Sequence, residues 1–567
     1  MNTSTNTRSV LDPRGLRQRG TLILAARPDR NALAAGTILF YDNTKMDVGH
    51  FGEIFRRIKQ ALRTQGMANF SDHRETIRGK SEADIAALAA KFRSMKVSAA
   101  VIGLADMGVC PAMVALTIAM ERAGIPTVCL TAGPGSALAV AYAHYRAGAL
   151  CLLPFDIYQG SSLDTIITLS NAGVERIVAM LTSNGAALHE LAAIDYAIDR
   201  DPASADATLA FAGTANDRVP FDEVAARFDE LHVGDGLPCV PPTAARFARM
   251  REYCPFDPAE VIMQGIGPSG APVTVRDVLI ASVMAGCKPE YLPVVLAAVR
   301  AIAKPGYGLL QGVTTSFAGG HFILASGPLA GQIGMHGGQG CLGPGFRANA
   351  TIGRAINLLL GNVCRAVPGH ADLACLSSPA EYSYCMAEDA SLSPWLPMHV
   401  EQYDASATCV MVMQAESPHS VLDLVSTSAA HLLETIIDCC TTLGSNNTYM
   451  PGNLVLLLNP DHARLLADDG YDKQRLREEI HRAARINTAL LAGRGLGGIR
   501  PKNETAEYQQ VTRSPDDIVT VVGGGKGGHS AVILPWALHS DAVYEAVRLP
   551  DGNYAKNIAD FRQTQHA

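Results

Sequence analysis

Short apolar runs alternate with amphipathic stretches through the first third of the chain. A strand is predicted over 37–41 (TILFY), then a turn at Asp42-Asn43 and a helix over 51–65. A second helix over 82–95 leads into the apolar run 99–104, which breaks at Asp106-Met107-Gly108. Pro111 opens a further apolar helix reaching Arg122, Gly124 stops it, and 125–130 reads as another strand. The apolar stretch 136–155 is broken by His144, Tyr145 and Arg146, so it reads as a buried helix running into a strand. Short strands alternating with helices of this length are the pattern of βαβ units around a parallel sheet. An α/β domain is therefore expected over 20–202, preceded by a disordered lead-in over 1–20.

The stretch 203–217 is rich in Ala, Asp and Thr and weakly periodic, which marks it as the boundary. A second domain follows over 218–567, as one unit or two subdomains. It has helices expected over 275–285 and 291–303, with Gly286 and Pro289 as stop signals for the first. Its middle, 311–353, is Gly-rich; a strand over 453–458, a helix over 473–492 and a strand over 518–522 follow. The fold class expected is α/β: an N-terminal parallel-sheet βαβ domain joined to a larger α/β or α+β C-terminal domain.

Composition narrows the partners. A chain of 567 residues exceeds one ordinary core, and 48% apolar with 18% charged residues fits compact folding. Lys plus Arg number 47 against 54 for Asp plus Glu, which gives no electrostatic reason to expect nucleic acid or an anionic membrane. The partner expected is a small-molecule substrate, and a homo-oligomer stays open. No stretch reaches 18 apolar residues, and the first 20 residues carry four arginines without an apolar segment, so a cytoplasmic location is expected. Thirteen cysteines, odd in number and unevenly spaced, read as buried thiols with one or two reactive ones rather than a disulfide framework.

One of those thiols stands out. Cys110 comes just after an apolar strand and immediately before a helix opening with Pro111, whose missing N–H suits the first turn. The positive end of that helix is expected to lower the thiol's pKa and favour thiolate. Ligands of open α/β sheets also bind at the carboxyl ends of strands. Asp106, at the same strand end, can act as general base or orient a substrate amine. The competing reading is a buried thiol filling space beneath a strand–helix turn.

The run GLADMGVCPAMVALTIAMERAGIPTV at 103–128 resembles the signature of the UGSC family, named for a selenocysteine (or cysteine)-Gly-Ser-Cys motif. Glu121-Arg122-Ala123-Gly124-Ile125-Pro126-Thr127-Val128 matches that signature's ending, and Asp42-Asn43-Thr44-Lys45 resembles the family's first-strand turn, which brings Asn43 among the substrate-binding candidates. The layout is also similar to the selenoprotein B subunits of the glycine, sarcosine and betaine reductases. This resemblance implies the α/β fold and, by analogy, reductive cleavage of a carbon–heteroatom bond with an external thiol or protein reductant. Met107 and Val109 depart from the motif at its first chalcogen and its serine, so no two-sulfur relay forms within it. That loss favours a redox-neutral lyase or isomerase, and a non-catalytic small-molecule-binding protein is the third reading.

The second domain is similar to the C-terminal portion of longer UGSC-type proteins at Gly234-Asp235-Gly236-Leu237-Pro238, at 284–293 and at 343–355. Cys287 and Glu290 flank a helix terminus there, and Cys287 is a candidate second thiol; a packed thiol beside a helix cap is the alternative. Arg347 and Asn349 lie where a Gly-Pro-Gly loop enters an apolar helix, a place for an arginine if an anion such as a substrate carboxylate joins it. Arg354 follows one turn and a half later. The Gly-x-Gly-x-x-Gly at 338–343 is followed at once by Pro344, and GGGKGGHS at 523–530 lacks P-loop spacing. His321, His336, His370, His399 and His529 form no H-x-x-x-H pair and no C-x-x-C occurs, so neither a cofactor nor a metal is expected.

Overall fold

The computed structural model describes residues 8–15, 20–106, 108–158, 160–199, 208–211, 221–265, 267–317, 319–495, 506–536 and 540–563. The first domain follows the alternation of its sequence. β1 (Ile38–Asp42), α1 (Gly52–Thr64), β2 (Phe70–Arg74), α2 (Glu82–Ser94), β3 (Ala99–Ala105), α3 (Cys110–Arg122), β4 (Thr127–Ala132), α4 (Gly135–Arg146), β5 (Leu152–Phe155) and α5 (Leu163–Thr182) succeed one another. All five strands are parallel, in the order β2-β1-β3-β4-β5. All seven residues of β3 are buried, as a central strand covered on both faces requires. α2, α3 and α4 cover one face, and α1 and α5 the other. A Ser81–Asp84 capping box starts α2, which is why the helix begins where it does.

The C-terminal region is built of four layers. α6 (Val275–Ala285), α7 (Leu292–Ile302) and α8 (Arg347–Val363) pack on a sheet of β6 (Gly320–Ser326), β7 (Cys385–Ala387), β8 (Cys409–Ala415) and β13 (Val543–Ala546), ordered β7-β6-β8-β13. Phe322 and Leu324, on the opposite face of β6, meet Val455, Leu457, Val519 and Val521 of a second sheet. That sheet runs β9 (His419–Leu422), β12 (His529–Ile533), β10 (Leu454–Leu458), β11 (Ile518–Val522). Its far face is covered by α9 (Ala429–Cys440), α10 (Pro460–Asp468) and α11 (Lys473–Ala483). Period-two burial on strands buried from both sides produces this helix–sheet–sheet–helix stack.

Three expectations need correction. The lead-in contains a strand, Arg8–Leu11, paired antiparallel with Thr208–Phe211, and Val10 and Phe211 both enter the C-terminal core. Thr208–Phe211 also falls inside the expected boundary 203–217, most of which lies outside the described residues. The helix expected over 473–492 ends at Ala483. Arg485–Asn487 then pairs with Tyr508–Gln510, a distant partner that overrides the apolar spacing of Ile486, Leu490 and Leu491.

The two regions are joined by buried charge. Asp199 accepts from Arg365 (Nε–Oδ2 2.5 Å), Arg14 (3.2 Å) and the Tyr145 hydroxyl (2.6 Å), while Arg365 also donates to the carbonyls of Leu231 and His232. Val367 and Ala371 of the C-terminal region pack into the α2–α4 core. Among the described residues no single helix is long and apolar enough to cross a membrane.

Candidate functional site

In the order β2-β1-β3-β4-β5, the helix after β1 and the helix after β3 leave the sheet on opposite faces. A crevice opens between the carboxyl ends of those two strands, the place where open α/β sheets hold ligands. The turn after β1 forms one wall. Asp42 Oδ1 accepts from the N–H groups of Thr44 (2.8 Å) and Met46 (3.3 Å), and Thr44 takes the left-handed conformation with φ +75°. Lys45 Nζ then reaches 3.3 Å from Asp106 Oδ2 at the end of β3, both side chains about one-sixth exposed. Asn43 is buried, and its amide is used by the backbone. Oδ1 accepts from Leu104 N–H (3.0 Å) and Lys45 N–H (3.2 Å), and Nδ2 donates to Leu104 O (2.9 Å). Asn43 thus welds β1 to β3.

Cys110 is the first residue of α3, and its N–H and that of Val109 close on the Asp106 carbonyl at 3.1 and 3.2 Å. Its sulfur turns inward: it is fully buried and donates to Gly135 O at 3.2 Å. Burial pushes the thiol well above its ordinary pKa, and the charges of Cys129 and Asp106 push the same way. The helix terminus was expected to lower it. Desolvation outweighs the helix dipole here because a thiolate in this position loses all its water. Gly135 permits the close packing of α4 on this turn; a Cβ there would lie 2.9 Å from Asp106 Cα. Met107 lies outside the described residues.

Sequence reasoning missed Arg78. It follows β2, is partly buried, and stands near Gly108, where an added Cβ would sit 3.5 Å from its Nη2. Its natural partner, Glu75, is already taken by Lys80 (2.5 Å) and His73 (3.0 Å), which hold that carboxyl down at about 2. Among the described residues the Arg78 guanidinium has no ion pair, and burial lowers its pKa. Nothing in the local sequence distinguishes Arg78 from any loop arginine, since only the sheet order brings the end of β2 to this crevice. A guanidinium, an ammonium–carboxylate pair and a thiol beneath them make a site for a small anion beside a proton carrier.

The second-domain candidates serve their own region. Cys287 is buried with α8, donates to Thr351 O at 3.3 Å, and is pushed up to about 12 by burial. It belongs to the C-terminal core and Cys110 to the N-terminal one, so the structure does not join them; the thiol whose charge acts on Cys110 is Cys129. Arg347 donates twice to Gly286 O (3.1 and 2.8 Å), capping α6 where an anion was expected. Asn349 is buried and clasps the 336–341 loop through His336 N–H, His336 O and Cys341 O, each at 2.9 Å. Glu290 sits 3.7 Å from Lys288. Arg354 grips Asp235 at 2.7 and 2.8 Å and so fixes the Gly234-Asp235-Gly236 turn. The two Gly-rich runs do meet, with Gly524 N–H on Gly337 O at 2.8 Å. All thirteen cysteines are free, and among the described residues no His, Cys, Asp and Glu group is arranged to hold a metal ion.

Glu121 of the motif's ending is also structural. It pairs with Arg27 through two 2.8 Å bonds, both side chains fully buried, and accepts from Ala25 and Thr127 N–H. Residues 9–147 match the family model described as the UGSC family. No curated protein and no solved structure matches the chain.

Proposed function

We propose that this chain, whose residues 9–147 match the family model described as the UGSC family, is a thiol-dependent enzyme acting on a small carboxylate-bearing molecule at the β1–β3 crevice. The observation that carries this reading is Arg78, a partly buried guanidinium with no acidic partner among the described residues, facing the turn that holds Asp106 and Cys110. In this reading Arg78 holds the carboxylate and the Lys45–Asp106 pair orients the molecule and relays a proton. A thiol held protonated by burial suits a proton donor better than a thiolate nucleophile, which favours redox-neutral lyase or isomerase chemistry.

Reductive cleavage of a carbon–heteroatom bond is the second reading, favoured by a second buried thiol, Cys129, in the same core and near enough for its charge to act on Cys110. Two thiols would give up two electrons and two protons, forming a disulfide as the carbon–heteroatom bond breaks; one proton ends on carbon as C–H, the other leaves on the heteroatom group, and an external thiol or protein reductant would restore the thiols.

The test is thermal stabilisation by a panel of small mono- and dicarboxylates, followed by proton NMR of the binders in D₂O. A ligand at 100 times its Kd stabilises by about 2.7 kcal/mol, and Arg78→Ala should abolish that gain. Deuterium incorporation or elimination without reductant, lost in Cys110→Ser, supports the redox-neutral reading. Turnover only with a dithiol supports the reductive one. If Arg78→Ala binds every carboxylate as well as the parent does, the site is elsewhere.

A further inference from the structure

A cavity of about 470 Å³ lies in the C-terminal region between the Gly234-Asp235-Gly236 turn, the start of β6 and the 377–382 segment. We propose that it is a second catalytic site, in which Glu381 takes a proton from the carbon next to a small molecule's carbonyl while His321 donates a hydrogen bond to that carbonyl's oxygen.

His321 lines the cavity, and its Nδ1 lies 2.5 Å from the hydroxyl of Tyr307, which is wholly buried beneath it. That hydroxyl has no other partner among the described residues, so it donates to Nδ1 and leaves the proton of the neutral ring on Nε2. Nε2 makes no hydrogen bond to the described residues, which leaves it for a ligand. Gln414, directly across from His321 on β8, donates to the Tyr307 and Gly308 carbonyls at 2.7 and 3.1 Å and so locks the tyrosine's backbone. Tyr307 is a positioning residue, because it sets the tautomer through His321.

Glu381 lines the same cavity. Gly320 brings it alongside: a Cβ at 320 would lie 2.8 Å from the Ala380 carbonyl carbon, so β6 and the 379–381 turn touch at the residues preceding His321 and Glu381. Ser377, on the cavity wall, is held at φ +56°, a strained conformation for a residue with a Cβ. Burial also pushes Glu381 up to about 7, with Asp372 adding and Ser377 partly offsetting, while burial pushes His321 down to about 4. The other ionisable groups on this cavity are Asp372, Asp229, His232, Tyr382 and Asp235, the last tied to Arg354; His370 packs on His232.

The step balances without a co-reactant. The C–H bond breaks, its proton goes to the Glu381 carboxylate, and the electron pair moves onto the carbonyl oxygen, whose charge the His321 Nε2–H receives. Return of the proton to the same carbon gives exchange; where that carbon carries a hydroxyl, passage of its O–H proton to the former carbonyl oxygen lets the proton return to the neighbouring carbon, which gives isomerisation. A neutral imidazole is the right donor, since it remains a hydrogen-bond donor without first giving up a proton.

The test uses the full chain in D₂O with dihydroxyacetone, hydroxyacetone and cyclohexanone as probes, following loss of the α-proton signals by NMR. Exchange above the buffer rate is expected, falling about 100-fold in Glu381→Gln and in His321→Asn. Circular dichroism identifies any variant that has lost its fold, and Glu381→Gln, on the cavity wall, is the decisive one. Tyr307→Phe is expected to shift the ¹⁵N signals of His321 from one tautomer to a mixture. Exchange that survives in Cys110→Ser belongs to this cavity. No exchange with any probe, or exchange unchanged in folded Glu381→Gln, overturns the proposal and leaves the β1–β3 site untouched.

Discussion

Replacing Glu121 by alanine is expected to be among the most damaging single changes in the N-terminal domain. The side chain lies wholly inside, and with it go two 2.8 Å bonds to Arg27 and the acceptors of the Ala25 and Thr127 N–H groups. Arg27 keeps its bonds to the Ala25 and Met180 carbonyls but loses its only counter-charge among the described residues. Removing one partner of a buried ion pair costs about 3–5 kcal/mol, because the survivor's charge stays desolvated. For a domain of this size that corresponds to a Tm drop of roughly 6–20 °C. Calorimetry and urea unfolding followed by circular dichroism measure it. The double variant Arg27→Met/Glu121→Leu removes both charges and should recover much of the loss, leaving the cost of two orphaned N–H groups at about 1–3 kcal/mol each. A Glu121→Ala protein within about 1 kcal/mol of the parent would refute the assignment of this motif residue to structure.

Other expectations follow from the same physics. Asp199→Ala removes the carboxylate that faces Arg365, while Arg14 keeps Asp12, so it should cost about 3–5 kcal/mol and resolve the calorimetric transition into two; one unchanged transition counts against Asp199 as the tie between regions. Native iodoacetamide labelling, read by mass spectrometry, should modify exposed Cys375 first and half-exposed Cys439 next, with Cys110 reacting after unfolding; fast labelling of Cys110 at pH 7 would contradict its burial. His321 is uncharged in the fold down to about 4 and titrates near 6.5 when unfolded, so the unfolded chain binds more protons between those values. Its contribution is complete above 6.5 and falls by on the order of 3 kcal/mol as pH drops to 4. Urea titrations at pH 4.5 and 7.0, compared with His321→Gln, isolate that slope. Carbon-acid exchange in the second cavity should rise with pH around a midpoint near 7, as the Glu381 carboxylate forms, and a flat profile excludes Glu381 as its base.

Much of the N-terminal domain was legible beforehand. Helices expected over 51–65 and 82–95 occur as Gly52–Thr64 and Glu82–Ser94, and the run 99–104 is β3. Fully buried strands between amphipathic helices leave few other ways to read the pattern. The pattern places Cys110 at the start of its helix but does not give the direction of its pKa shift. Helix-terminus reasoning fixes where the Cα sits, whereas the direction of the sulfur follows from α4 packing over it at Gly135. Arg347 follows the same logic: a cation at a helix start needs an acceptor, and in the fold it donates to the Gly286 carbonyl of a helix some 60 residues earlier. The strand Arg8–Leu11 was invisible because its partner lies about 200 residues away.

Taken alone, the amino-acid order determined the βαβ alternation, the helix caps at Ser81 and Gly286, and the position of Cys110 at a strand–helix junction, because each depends on neighbours within a few residues. Tertiary structure decided the rest. Strand order made the β1–β3 crevice and carried Arg78 to it, and desolvation set the protonation of Cys110. The packing of the Tyr307 turn and the 379–381 turn against the start of β6 brought together Tyr307, His321 and Glu381, residues up to 74 positions apart. Burial and long-range pairing act on groups that only the folded chain makes neighbours, and sequence spacing carries no record of them.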